Sequence, residues 1–113
     1  MKPTTYTYLA RVGKLLAAGL ADAAREAGVA VQVNAVGSLL TPFFTDRAVR
    51  DYRSATSANT AQYARFFQGM VTRGIYPPPS QFEAWFVSTA HTMKDIEKTI
   101  AAARAAMREV TKN

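Results

Sequence analysis

Apolar side chains recur at Leu9, Val12, Leu16, Leu20, Ala23 and Ala27, the three-and-four spacing that lines one face of a helix, and predict a helix over residues 5–27. Gly28 follows where a left-handed stop is wanted. The period then falls to two. Val29, Val31 and Val33 alternate with Ala30, Gln32 and Asn34, as in a strand with one buried face. Gly37-Ser38 marks a turn, and residues 39–45 (Leu39-Leu40-Thr41-Pro42-Phe43-Phe44-Thr45) read as a second, largely buried strand. Pro42 cannot donate a ladder hydrogen bond, so it points to an edge or a bulge. Two strands this close in sequence should pair as an antiparallel hairpin.

Residues 46–57 are polar, mixed in charge and without a sustained period, which predicts a loop with at most a helical turn. From Asn59 the helical period returns: Tyr63, Phe66, Phe67, Met70 and Val71 share one stripe, and Gly74 is placed to end the helix. Ile75-Tyr76 is a short extended piece before Pro77-Pro78-Pro79, whose fixed φ angles favour a stiff connection. Trp85-Phe86-Val87-Ser88 predicts a third short strand. Thr92, with Asp95 three residues on, forms a capping-box-like start, and Ile96, Ile100, Ala103, Met107 and Val110 mark the buried stripe of a last helix. The fold class is therefore α+β in the order α-β-β-α-β-α, a small antiparallel three-stranded sheet covered by helices. No internal repeat or linker divides residues 1–113, so one domain is expected.

A chain of 113 residues supports one modest core, burying roughly two-thirds of the surface its unfolded form exposes. With 49% hydrophobic and 19% charged residues and a mean hydropathy of -0.08, it reads as an ordinary soluble protein. No tract approaches the roughly 20 uninterrupted apolar residues of a membrane span. The absence of cysteine removes disulfides, thiolate nucleophiles and cysteine metal sites together. The opening Met1-Lys2-Pro3-Thr4-Thr5-Tyr6 lacks an apolar signal core, which places the protein in the cytoplasm. The net charge of +6 and the pI near 10.0 raise the question of nucleic acid. The basic residues are spread over every segment, however, and only Arg47, Arg50 and Arg53 form a tight run. A solvated surface or lost partners accounts for the charge, and no nucleic-acid partner is expected.

Candidate chemistry is sparse. His91 is the only histidine and, without cysteine or a second imidazole, anchors no zinc site; its place ahead of a helix cap suggests a structural hydrogen bond. Ser80 and Ser88 lack a base and an orienting acid at a recognisable spacing, and no GxGxxG or GxxxxGK loop is present. No catalytic, cofactor-binding or metal-binding residue follows from these patterns. Glu83 is the notable acid. It lies among Phe82, Trp85 and Phe86 behind the rigid proline run, where burial would require a cationic partner, and it reads equally as an exposed acid or as a positioned functional one. The Tyr63, Phe66 and Phe67 stripe is more simply core than a base-stacking surface.

Several segments together resemble a known family. Gly37-Ser38-Leu39-Leu40-Thr41-Pro42-Phe43-Phe44, Asp51-Tyr52-Arg53-Ser54-Ala55, Tyr63-Ala64-Arg65-Phe66-Phe67, and above all Pro79-Ser80-Gln81-Phe82-Glu83-Ala84-Trp85-Phe86-Val87-Ser88-Thr89-Ala90-His91-Thr92 with Asp95-Ile96 are similar, in that order, to the carboxy-terminal region of the glutamate-1-semialdehyde 2,1-aminomutases and their class III aminotransferase relatives. The likeness runs from about Thr5 to the end. It implies an aminotransferase small domain that closes one side of an active site, while a large domain carries pyridoxal phosphate on a Schiff-base lysine. None of Lys2, Lys14, Lys94, Lys98 or Lys112 stands in the family's cofactor-lysine context. The resemblance therefore implies a domain fragment, inactive alone, whose partner is the missing large domain and which can self-associate through the uncovered interface.

By resemblance, the parent enzyme converts glutamate-1-semialdehyde to 5-aminolevulinate for tetrapyrrole synthesis. Glu83 matches the acid of the family's Phe-Glu-Ala segment, which implies that it receives a substrate amino group, and Gly37 and Ser38 are implied to face the same cleft. Trp85 departs from the small residue expected after Glu-Ala in the aminomutases. That departure leaves room for a class III β-amino-acid aminotransferase, and a free-standing protein-interaction module is a further alternative.

Overall fold

A computed structural model describes residues 3–50, 58–81, 83–86 and 91–111. Helix α1, Pro3–Ala27, buries Leu9, Val12, Leu16, Leu20, Ala23 and Ala24, the stripe that the spacing predicts with Ala24 added and Ala27 half-buried. It ends in a Schellman motif. Gly28 adopts φ +74, its N–H donates to the Arg25 carbonyl at 3.1 Å, and the Val29 N–H donates to the Ala24 carbonyl at 2.9 Å. Because Val29 is still held by the helix, strand β1 begins only at Gln32 and runs to Val36, later than the alternating valines suggest. Their inward face is as expected: Val29 is buried, and Val31 and Val33 pack half-buried against the core.

Strand β2, Leu39–Phe43, pairs antiparallel with β1 from Val36↔Leu39 to Gln32↔Phe43. The two-residue connection has positive φ at Gly37 alone, the sign pattern of a type II′ hairpin turn. Strand β3, Trp85–Phe86, completes the sheet on the other side, with Leu39↔Phe86 and Leu40↔Trp85, in the order β1-β2-β3. Thus β2 is the central strand although it contains Pro42. Two facts reconcile this with the missing N–H. The pair closing a two-residue turn is hydrogen-bonded, so alternation makes Pro42↔Val33 a pair in which Pro42 faces away from β1. On that outer side β3 stops at the level of Leu40, leaving no ladder for Pro42 to break. The expected continuation of β3 through Val87 and Ser88 lies outside the described residues. Strand β2 stops two residues short of the expected 39–45, because the Phe44 N–H is taken by Gln81 Oε1 and the Thr45 N–H turns back to the Phe43 carbonyl. Residues 46–50 are irregular, as expected, and the rest of the predicted loop, residues 51–57, lies outside the described residues.

Helix α2, Thr60–Val71, starts at Asn59, whose side chain accepts from the Gln62 N–H at 3.0 Å. Its predicted stripe buries Tyr63, Phe66 and Met70, with Phe67 and Val71 half-buried. At the far end the Gly74 N–H reaches the Val71 carbonyl and the Ile75 N–H reaches that of Met70, both at 3.0 Å. Helix α3, Met93–Val110, opens with the expected capping box: Thr92 Oγ1 accepts from the Asp95 N–H at 3.1 Å, and an Asp95 carboxylate oxygen accepts from the Thr92 N–H at 2.9 Å. The Thr92 N–H first, and its hydroxyl second, hold the Asp95 carboxyl below its ordinary pKa.

Helix α3 packs against both α1 and α2, so it buries Ala102 and Ala106 beyond the single stripe of Ile96, Ala103, Met107 and Val110. Small residues set these crossings. A Cβ at Gly19 would stand 2.6 Å from Ile100 Cδ1, and one at Gly69 would stand 2.9 Å from Ala106 Cβ and 3.2 Å from its Cα. Adding a methyl at Gly69 gains about 1 kcal/mol of helix propensity. It also overpacks the crossing, typically at about 1–3 kcal/mol.

Gly69→Ala lowers stability by up to about 2 kcal/mol net in denaturant unfolding, and a variant more stable than the parent would show that the crossing is loose. Thr92→Ala lowers it by about 1 kcal/mol. The contribution of Asp95 is present above its unfolded pKa and is lost as pH falls through its depressed folded value, so an Asp95→Asn variant should show a flatter acid limb.

Candidate functional site

The turn Gly37-Ser38 projects from the hairpin end of the sheet, Gly37 exposed and Ser38 half-buried. Helix α1 passes directly beneath it. A Cβ at Gly13 would lie 2.6 Å from the Gly37 carbonyl oxygen and 3.3 Å from Ser38 Cα, so backbone meets backbone and the turn is braced from below.

Glu83 is positioned by a different set of contacts. The stiff proline segment is pinned where Tyr63 Oη donates a short hydrogen bond to the Pro78 carbonyl. Three residues on, Gln81 is 1% exposed and its Oε1 accepts from the Phe44 N–H at 3.1 Å, fastening the segment to the end of β2. The Glu83 N–H donates to the Ser80 carbonyl at 3.2 Å, and Trp85 then enters the sheet opposite Leu40. Glu83 is thus an exposed carboxylate on a short turn whose flanks, Gln81 and Trp85, are both buried.

The structure does not bring the three residues together. Glu83 precedes Trp85 by two residues and so lies towards the Pro42 level of β2, whereas the turn lies beyond Leu39 at the other end. Pro42 is four residue steps along the strand from Ser38, roughly 13 Å.

Burial governs the electrostatics around Glu83. Tyr63 is 2% exposed, and desolvation pushes its phenol up from 10.0 to about 12. The Trp85 indole N–H opposes the rise and the Glu83 charge adds to it. Trp85 Nε1 nevertheless falls short of hydrogen-bond geometry, and with Gln81 Nε2 it is a buried donor without a partner among the described residues. Sequence reasoning took Tyr63 only as packing and gave Gln81 no role. Their signal was a phenol within an otherwise apolar stripe, and an amide between a proline run and a pair of aromatics.

An apolar cleft of about 240 Å³ lies beside this segment, walled in part by Leu16, Pro78, Ala84, Trp85, His91 and Ile96. His91 itself is exposed, and its carbonyl accepts from Tyr8 Oη at 3.3 Å. Among the described residues no three acidic or histidine side chains gather as for a metal ion. Lys14, Lys94 and Lys98 are exposed on helices, and none of them lines the cleft. Among the described residues no helix is long and apolar enough to cross a membrane.

Solved structures place the fold. An omega-transaminase from Sphaerobacter thermophilus superposes with a TM-score of 0.80 and 27% identity, covering 96% of this chain and 25% of its own. A glutamate-1-semialdehyde aminomutase from Pseudomonas aeruginosa superposes at 0.83 over 97% of this chain and 24% of its own; at 18% identity it speaks for the fold alone. The fold is therefore that of a quarter-length unit found in aminotransferases and aminomutases. No protein-family model matches the chain. Among curated proteins, the glutamate-1-semialdehyde 2,1-aminomutase of Anaeromyxobacter dehalogenans is 52% identical over 112 residues, which are 99% of this chain and 26% of that enzyme. The namesake enzyme of Myxococcus xanthus is 47% identical over 110 residues, again 26% of its length. The chain is thus similar along nearly its whole length to glutamate-1-semialdehyde 2,1-aminomutases, and it spans about a quarter of the length of the relatives it matches.

Replacing Tyr63 by Phe tests the pinning of the Glu83 turn. Loss of the bond to Pro78 should lower stability by about 1 kcal/mol near neutral pH. A raised folded pKa contributes stability fully present below the unfolded value of 10.0 and lost as pH rises towards about 12. The wild type should therefore lose stability across that window more steeply than Tyr63→Phe; parallel curves would show that the phenol is not desolvated.

Proposed function

We propose that the chain is the carboxy-terminal small domain of a glutamate-1-semialdehyde 2,1-aminomutase-like enzyme and that its work is to close one side of an active site housed in the rest of that enzyme. The observation that carries this reading is the match of 99% of the chain, at 52% identity, to 26% of an aminomutase. Pyridoxal phosphate belongs to the complementary part in this reading. It is bound in the solved structure of a transaminase of the same fold. When bound there, it would supply the amino-group chemistry that turns glutamate-1-semialdehyde into 5-aminolevulinate.

Glu83 is the residue of this chain assigned to the substrate. Its exposed carboxylate on a doubly anchored turn is suited to accept hydrogen bonds from a substrate ammonium group without reorganising. Gly37 and Ser38 are assigned a second, weaker contact at the other end of β2, by backbone groups and a hydroxyl on a braced turn. The separation between the two means that a substrate touching Glu83 meets the turn only if the partner domain brings the cleft across the sheet end.

The runner-up, a β-amino-acid aminotransferase, has a solved counterpart in the β-phenylalanine aminotransferase of Variovorax paradoxus. That match is 28% identical with a TM-score of 0.69 over 84% of this chain, well below the identity to the aminomutases.

A chimera tests the reading: the Anaeromyxobacter dehalogenans aminomutase with its matched 112 residues exchanged for this chain. It should convert glutamate-1-semialdehyde, and Glu83→Gln within it should lower kcat/KM roughly 10- to 100-fold, the loss of one charge-assisted hydrogen bond of about 1.5–3 kcal/mol. The isolated chain mixed with pyridoxal phosphate should hold none of it after gel filtration. An inactive chimera, or a stable cofactor adduct on a lysine of the isolated chain, would overturn the proposal.

A further inference from the structure

The hairpin stands out by what it lacks. Residues 29–45 contain no charged side chain, in a chain where 19% of residues are charged. Yet this segment is not wholly interior. Asn34, Ala35, Val36, Gly37 and Leu39 are exposed, Val36 to 79% and Leu39 to 47%, and these two oppose each other across the turn. Elsewhere the exposed faces are built for water: the outer face of α3 carries Lys94, Glu97, Lys98, Arg104, Arg108 and Glu109.

Strand β1 is also a sheet edge, since the order is β1-β2-β3. Natural edges are guarded by charge, proline or a bulge, and Gln32–Val36 has none of these. One contact partly covers it: Asn34 Nδ2 donates to the Val49 carbonyl at 2.8 Å. Ala35 and Val36 extend beyond that contact towards the turn. Nor is the tip loose, because the α1 backbone at Gly13 supports it. An apolar, uncharged and rigid protrusion at an unguarded edge is the character of a surface that another polypeptide covers.

We propose that the Val36/Leu39 hairpin tip and the adjoining edge of β1 dock against the complementary three-quarters of the enzyme. This rests on the reading that the chain is one domain of an aminomutase-like protein. The occupant is argued from length: the matched relatives hold about three times as much chain outside the matched part as within it, since the match spans 26% of their length. A body of that size must share an interface with this one, and such inter-domain surfaces typically bury about 600–1,500 Å². The hairpin offers the longest uncharged surface for it. The docking also carries Gly37 and Ser38 into the boundary between the two parts, which is where a closing domain would need them.

The absence of cysteine makes the test direct. Val36→Cys, Leu39→Cys and, as a control on the charged face of α3, Lys98→Cys are each made in the isolated chain and in the chimera described above. Maleimide labelling is followed peptide by peptide by mass spectrometry. Positions 36 and 39 should label roughly tenfold more slowly in the chimera than in the isolated chain, with position 98 unchanged. An active chimera in which positions 36 and 39 label as fast as in the isolated chain would overturn the docking surface and leave the functional reading standing. Protection that appears in the isolated chain as its concentration rises would assign the surface to a second copy and also overturn it. A chimera that neither folds nor turns over substrate removes the functional reading and this inference with it.

Discussion

The packing of Phe66 is the interaction on which the remaining geometry depends. Its fully buried ring lies 5.4 Å from Phe44, 6.1 Å from Tyr63 and 6.2 Å, stacked at 20°, from Trp85. Those contacts join the end of β2, helix α2 and strand β3, three elements far apart in sequence. Such rings contribute both large apolar burial and directional edge and face contacts, so the arrangement specifies orientation as well as adhesion. Once Gln81 is held on Phe44 and Trp85 is fixed in the cluster, the short stretch between Gln81 and Trp85 turns on the outside. Glu83 is carried on that turn.

Polar groups then sharpen what the rings begin. Tyr63 turns its edge to Phe44 at 5.8 Å and sends its hydroxyl to the Pro78 carbonyl, while Gln81 uses one end of its amide to satisfy the Phe44 N–H. Leaving Gln81 Nε2 and Trp85 Nε1 unpaired is unfavourable by about 1–3 kcal/mol each. Both donors flank the Glu83 turn. The remote half of the fold shows no such tension. There α3 lies against α1 and α2 through glycine and alanine, and the ion pairs Arg25–Asp22 and Arg104–Glu26 are exposed and contribute little.

Much of the architecture is legible in the residues. The helical stripes of Leu9 to Ala27 and Tyr63 to Val71 match the observed burial because period alone decides which side of a helix is apolar. The caps at Gly28 and Thr92 act locally, through bonds to residues a few positions away, so their chemistry can be read without knowing the fold. Strand bounds are less legible: Val29 has strand character but stays tied to α1, and Pro42 sits in a central strand because β3 is too short to reach it. Of the candidate site, Glu83 reads from the sequence equally as an exposed acid or as a positioned functional one. Its exposure is a consequence of where Gln81 and Trp85 go.

The sequence by itself determined the class of fold, the order of elements, the starts and stops of the helices, and the family resemblance, since all of these depend on side-chain period and on neighbours within a few residues. Only the tertiary structure decided that Tyr63 and Gln81 hold the Glu83 turn, that Gly13 supports Gly37 and Ser38, and that the turn and the acid stand at opposite ends of β2. Each of those is a meeting of residues tens of positions apart. Their distances are set by the packing of rings and small side chains in the core, which no local pattern encodes.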